Sequence, residues 1–153
     1  MRTFTRFTNV LFGEQVENQI IIEFWNSILF YNYVQNASIG EPRISPKEKD
    51  FSNSETAFSE VLQGFQPDLI IVWGERLWDK MPANGKWGNE VLDGKYGKLY
   101  HYNSEGKNIP AFAVYHPSSS AFSYDCTPYL QELVNNTNFK KYNNEINLFR
   151  TMA

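Results

Sequence analysis

The sequence predicts an α/β domain built on a small, mostly parallel sheet, and three observations carry that expectation. Pro67 to Gly74 (Pro-Asp-Leu-Ile-Ile-Val-Trp-Gly) is a continuous apolar run between turn residues, the form of a strand covered on both faces. Ala111 to Tyr115 is a second apolar run of strand length, and it ends abruptly in His116 and Pro117. Around both runs lie stretches whose apolar residues recur three and four apart, so helices alternate with strands.

Phe4, Phe7, Val10 and Leu11 predict an amphipathic helix ending near Gly13, and a second short helix is expected through Glu17 to Trp25. Ser27 to Gln35 is rich in aromatic and branched residues and precedes the turn-forming Asn36 to Pro46, which predicts a strand. On that strand Ile28, Phe30, Asn32 and Val34 would share a face, with Asn32 its polar member. Ser52 and Glu55 have the spacing of a capping box, and Phe58, Val61, Leu62 and Phe65 form the stripe of the helix that follows, closed by Gly64 and Pro67. After the Pro67 strand, Gly74 to Trp78 turns directly into another helix, stopped by Pro82. Ala83 to Lys107 reads as loops around a short irregular hairpin or edge strand at Lys98 to Tyr102. Leu130, Leu133 and Val134, then Tyr142, Ile146 and Phe149, predict a helical C-terminus divided near Asn135 to Asn138.

At 153 residues the chain fits one domain spanning 1–153, long enough to hide roughly two-thirds of its unfolded surface. Aromatic residues make up 16% of it and run from Phe4 to Phe149, which excludes a disordered or low-complexity chain. Cys126 is the single cysteine, excluding an internal disulfide and any cysteine-bound zinc or iron–sulfur centre within one chain. A reducing, cytoplasmic setting is expected, with no cofactor. The opening residues lack a signal-peptide core, and Glu23, Asn26 and Asn32 interrupt the run from Ile20 to Val34, so no membrane association is expected. The net charge of −3 gives the whole molecule no long-range attraction to a polyanion. Local basic rims remain open at Arg43, Lys47 and Lys49 and at Arg76 and Lys80, although the ordinary reading of such charges is a solvated surface.

Three strand ends carry distinctive chemistry: Asn32, Gly74, and His116 with Pro117, Ser118, Ser119 and Ser120. In a parallel sheet these ends face one crevice, where open α/β sheets bind ligands. An Asn amide can read a nucleobase edge, and a His N–H can donate to a carbonyl oxygen on which negative charge develops. A Gly at a strand-to-helix turn admits close approach and leaves helix N–H groups free for a phosphate. Each residue also has a plainer role: Asn32 as a buried amide tying strand to loop, Gly74 as a tight turn, and Arg76 as a solvated helix residue. His101 is expected to be structural, and Cys126 lacks an activating base.

The order of these motifs resembles the uracil-DNA glycosylase superfamily over roughly Phe24 to Phe122. In that family a strand ends in a base-recognising Asn, a Pro-x-x-Ile/Val-x-x-x-Gly strand enters a helix, and a final strand ends in His-Pro-Ser. The matching residues are Phe30-Tyr31-Asn32-Tyr33, Pro67 to Gly74, and Val114-Tyr115-His116-Pro117-Ser118. The resemblance implies a three-layer α/β/α sandwich that flips a base from DNA and hydrolyses its N-glycosidic bond in base excision repair. It implies that Asn32 hydrogen-bonds the base and that His116 binds a uracil-type carbonyl oxygen as the base leaves. Pro117 and Ser118 to Ser120 would hold backbone phosphates or probe the minor groove, with Arg76 as a further phosphate contact. Gly74 would line the pocket, and Tyr31 or Tyr33 would supply the stacking that offsets flipping.

The chain departs from the family ahead of Asn32. The family's first strand carries a Gly-rich loop and an acidic or Asn residue that positions the attacking water, whereas residues 1–13 here read as helix. A truncated member or a divergent relative is therefore expected, and catalysis is less firmly implied than fold. The alternative is a noncatalytic nucleotide- or nucleic-acid-binding module of the same fold. A small-molecule hydrolase with His116 as base ranks below both, because no partnered nucleophile is visible. The residues specify neither the preferred base, nor a single- or double-stranded substrate, nor the oligomeric state.

Overall fold

The computed structural model describes residues 2–35, 45–91 and 97–135. Their elements run α1 (Arg2–Phe12), α2 (Asn18–Asn26), α3 (Glu48–Ser52), α4 (Glu55–Phe65), β1 (Ile70–Trp73), α5 (Glu75–Trp78), β2 (Lys86–Glu90), β3 (Lys98–Ser104), β4 (Lys107–Val114), a 3-10 turn (Tyr124–Cys126) and α6 (Thr127–Asn135). The α/β class holds. The expected turn residues 36–44, with Arg43, and the expected second C-terminal helix at Tyr142 to Phe149 lie outside the described residues.

The sheet has the order β1-β4-β3-β2. Only β1 and β4 pair in parallel, while β4 with β3 and β3 with β2 are antiparallel, so the expected mostly parallel sheet is corrected. The reason is local. Ser104 pairs with Lys107 across Glu105-Gly106, whose φ angles of 49° and 84° are both positive, the requirement of a two-residue hairpin turn. A parallel return needs a crossover of a dozen residues or more, and this turn leaves no room for one.

Side chains alternate across β4 as the pleat requires. Ile109 and Ala111 join a cluster with Tyr33, Phe51, Phe58, Leu62, Tyr100 and Tyr102, which brings α3 and α4 onto one face. Phe112 and Val114 join the other cluster with Phe7, Phe24, Phe122, Tyr129 and Leu130, which brings α1, α2 and α6 onto the opposite face. Side chains also lock α1 to α6: the Thr127 hydroxyl donates to the Val10 carbonyl at 2.6 Å, and the Gln131 amide donates to the Leu11 carbonyl at 3.3 Å.

The strand expected over Ser27 to Gln35 does not form; Ser27 ends α2 and the segment beyond is irregular. Its side chains do not alternate as a strand's must, because the consecutive residues Tyr33 and Val34 pack against the same cluster. Ile28 packs against the Phe112 cluster, whereas Tyr31, Tyr33 and Val34 pack against the Ile109 cluster. Strand propensity measures packing against neighbours more than backbone preference, and here the packing asks for a crossing. The expected capping box at Ser52 and Glu55 also moves. Ser52 belongs to α3 and its hydroxyl donates to the Lys49 carbonyl, while the Lys47 N–H donates to the buried Asp50 carboxylate at 2.7 Å. On α4, Phe58 and Leu62 are buried as expected, but Phe65 is 65% exposed.

Candidate functional site

Parallel pairing of β1 with β4 sets Trp73 opposite Val114, so both strands end on the same side of the sheet. The Gly74 N–H donates to the Val114 carbonyl at 2.8 Å, carrying the pairing one residue further. Beyond it the chains part: Gly74 enters α5, and Tyr115 to Ser120 form the turn that bears His116.

That turn has a simple cause. Pro117 presets φ for the second position of a β-turn, and the Ser119 N–H donates to the His116 carbonyl at 2.7 Å to close it. A second turn follows as the Phe122 N–H donates to the Ser119 carbonyl at 3.2 Å. Pro117 and Phe122 are fully buried and peg the turn down, leaving His116, Ser118 and Ser120 exposed. Ser119 is half-buried, and its hydroxyl accepts from the Ala121 N–H at 3.3 Å.

The His116 ring is oriented from within this turn. Its Nδ1 lies 3.2 Å from the Ser118 backbone nitrogen and 2.7 Å from the Ser118 Oγ. A backbone N–H can only donate, so Nδ1 accepts, and the proton of the neutral imidazole stands on Nε2. The described residues give Nε2 no partner, so the ring offers an N–H to a guest. The Trp73 ring meets His116 edge-on with centroids 5.9 Å apart, and Phe30 lies 5.5 Å from Trp73.

Gly74 stands beside the His116 side chain: a Cβ built on Gly74 would lie 3.6 Å from the His116 Cβ, an ordinary contact. Its backbone, at φ 97° and ψ 136°, is one that L side chains rarely adopt. Gly74→Ala is therefore expected to cost about 1–3 kcal/mol through backbone strain rather than collision, measured by urea unfolding. The α5 helix that Gly74 opens has only four residues, so the helix-terminus phosphate site expected there has a single turn behind it.

The other expected site residues divide. Asn32 is exposed on the irregular segment, not on a strand end, and its side chain makes no hydrogen bond among the described residues. Its link to His116 is indirect, through Phe30 two residues earlier. Arg76 is a tether: its guanidinium donates to the Pro46 carbonyl at 3.1 Å and lies 5.9 Å from the centre of the Phe51 ring. Lys80 is likewise engaged, paired with Glu48 at 2.8 Å. Among the described residues no His, Cys, Asp and Glu group has the arrangement of a metal site, and no helix is long and apolar enough to cross a membrane.

Tyr31 and Tyr33, expected to stack on a base, point into the Ile109 cluster instead. Tyr33 is 4% exposed and its ring packs on Phe58 at 5.6 Å. The ring beside His116 is that of Trp73, and Phe30, which is 46% exposed, packs on Trp73; alternation set Phe30 on the face of Asn32 but did not join it to Trp73. The useful signal was adjacency: Trp73 immediately precedes the Gly that meets His116.

Burial pushes the Tyr33 hydroxyl up to about 12, with Glu55 and Tyr31 adding to the effect. Burial also raises Tyr31, against the lowering effect of the Gln35 side chain, and raises Tyr102. A phenol raised above its ordinary value of 10.0 keeps its proton longer when folded. Its contribution to stability is complete below pH 10 and is lost as the pH climbs through 12. The Tyr33 hydroxyl has no hydrogen-bond partner among the described residues. Tyr33→Phe is thus expected to leave stability at neutral pH unchanged or raised by about 1 kcal/mol, and to shrink the alkaline loss. Urea melts at pH 8 and pH 11 check both parts.

No family model matches the chain, and neither a curated protein nor a solved structure matches it.

Proposed function

We propose that this chain is a uracil-DNA glycosylase-like protein that recognises a base drawn out of DNA and hydrolyses its N-glycosidic bond, in a cytoplasmic setting. We read its α/β fold as a three-layer α/β/α sandwich, on the strength of helices packed against both faces of β4. The observation that carries the proposal is the His116 turn. An imidazole at the carboxyl end of β4, beside the end of a parallel neighbour, has its Nδ1 engaged by Ser118 and its Nε2–H free. Such a donor suits a base carbonyl oxygen that gains negative charge as the glycosidic bond breaks. Phe30, exposed and backed by Trp73, offers apolar surface for the planar guest, Asn32 is the amide available to its edge, and the hydroxyls of Ser118 and Ser120 reach the flanking backbone.

A noncatalytic DNA-binding module is the second reading, and one observation favours it. Among the described residues no carboxylate is hydrogen-bonded to His116 or to the Asn32 side chain, so neither is paired with a group that would activate water. The readings part in a glycosylase assay on uracil-, hypoxanthine- and mismatch-containing oligonucleotides, run beside a direct binding titration. Base release is the expected result. Binding without release establishes the module, and neither binding nor release overturns both.

A further inference from the structure

We propose that the groove between α1 and the 3-10 turn carries the sugar–phosphate backbone of the DNA strand that flanks the base at His116. The inference rests on the reading of His116 as a base site in DNA and extends it to a second surface. The groove encloses about 600 Å³ and is lined by Arg2, Arg6, Asn9, Val10, Ser123 and Tyr124 among others.

Its charge runs against that of the molecule. The chain carries a net −3, yet α1 contains no acidic residue and no carboxylate lines the groove. Arg2 and Arg6 are one helical turn apart, so their guanidinium groups stand along one face roughly 6 Å apart in rise, a spacing that lets them follow a chain of anions. Arg6 uses one nitrogen to hold the Phe122 carbonyl, and its remaining donors are left for a ligand. Asn9 accepts the Val16 N–H through Oδ1 at 3.1 Å, which leaves its NH₂ as a donor. Asp125, next in sequence to Tyr124, accepts from the Ser123 hydroxyl at 3.0 Å and does not line the groove.

Two features select a nucleic-acid strand over an isolated anion. Tyr124 is 50% exposed and packs on no other ring among the described residues, so its face is open to a base next to the cationic pair. The groove also lies close to the base site, because Ser120 of the His116 turn and Ser123 of the groove are three residues apart, so their Cα atoms lie within about 11 Å. Arg6 reinforces that junction by gripping Phe122, the residue that pegs the His116 turn. A strand whose base enters the His116 crevice would thus meet phosphate donors and a stacking face on the same side of the loop.

The test measures binding of a fluorescein-labelled single-stranded oligonucleotide carrying one central uracil, with wild type, Arg2→Glu and Tyr124→Ala, over a salt series. Both positions are solvent-facing, and an acidic residue suits the first turn of a helix, so the folds should survive; far-UV circular dichroism checks this. Arg2→Glu is expected to weaken binding tenfold or more and to flatten the salt dependence by about 0.7 per lost phosphate contact. Tyr124→Ala is expected to weaken it fivefold or more. Wild-type affinity in both folded variants overturns the groove, as does equal displacement of the oligonucleotide by a polyglutamate peptide. Salt-dependent binding that both variants lose, without base release by wild type, keeps the groove and removes the glycosylase reading. Base release by wild type with unaltered binding by both variants does the reverse.

Discussion

His116→Ala is expected to lower the single-turnover rate of base release by about a hundredfold to a thousandfold, the range measured when one preorganised donor to a developing oxyanion is removed. His116 lies on the surface of its turn, with Ser118 as its hydrogen-bonding partner and Trp73 as its aromatic neighbour, so little of the core depends on it. Oligonucleotide affinity and unfolding midpoint should therefore stay close to wild type while the chemical step collapses. Single-turnover measurement matters because it separates chemistry from release of the product. Base release at the wild-type rate would remove His116 from the mechanism.

The tautomer sharpens the expectation. Because the Ser118 N–H occupies Nδ1, the ring acts on a guest through the donor at Nε2. His116→Gln places an amide N–H at nearly the same distance from the backbone and should restore part of the lost rate. A general-base role would show no such rescue, since a glutamine amide does not take up a proton. Ser118→Ala removes the hydroxyl from Nδ1 but keeps the backbone N–H, so a reduction of about tenfold or less is expected.

The contrast between what the sequence revealed and what it hid has a consistent physical basis. Pro67 to Gly74 and Ala111 to Tyr115 were legible because an unbroken apolar run between turn residues has few uses other than a buried strand. The helices α1 and α2 were legible from spacing alone. Direction was not, since the apolar run of β4 suits a parallel neighbour on one side and an antiparallel neighbour on the other. The hairpin sign was present in Glu105-Gly106, a turn pair, but it sat in a stretch of Gly, Asn and Lys that reads as loop.

At the site, the His116 turn was legible because Pro117 restricts the backbone on either side of it. The aromatic partners were not, because period-two reasoning over Ser27 to Gln35 separates two faces without saying which of them meets the end of β1. In the folded chain Phe30 turns toward Trp73 while Tyr33 turns toward Phe58, and only tertiary packing decides between them. Arg76 shows the same limit. A cation two residues past the strand end reads as a phosphate contact until Pro46 and Phe51 are seen to occupy it.

Phe122→Ala is expected to be the most destabilising single change near the site, costing about 3–5 kcal/mol. Phe122 has no exposed surface, and its ring stacks on Phe7 of α1 at 6.0 Å with planes only 11° apart. Truncation removes that contact and leaves a cavity among α1, α6 and β4 that close-packed neighbours fill only in part. Against a typical total of about 5–15 kcal/mol the loss is large, and the urea midpoint should fall by about 1–3 M. Phe65→Ala supplies the control: its ring is mostly in solvent, and a change within about 0.5 kcal/mol is expected. The site should feel the cavity as well, because the Phe122 N–H closes the second turn after His116 and its carbonyl holds Arg6. In conditions where the variant remains folded, oligonucleotide binding should therefore weaken, whereas Phe65→Ala should bind as wild type. A Phe122→Ala protein with an unchanged urea midpoint would mean that the His116 turn is not pegged to α1, and the alignment of turn and groove would lose its physical support.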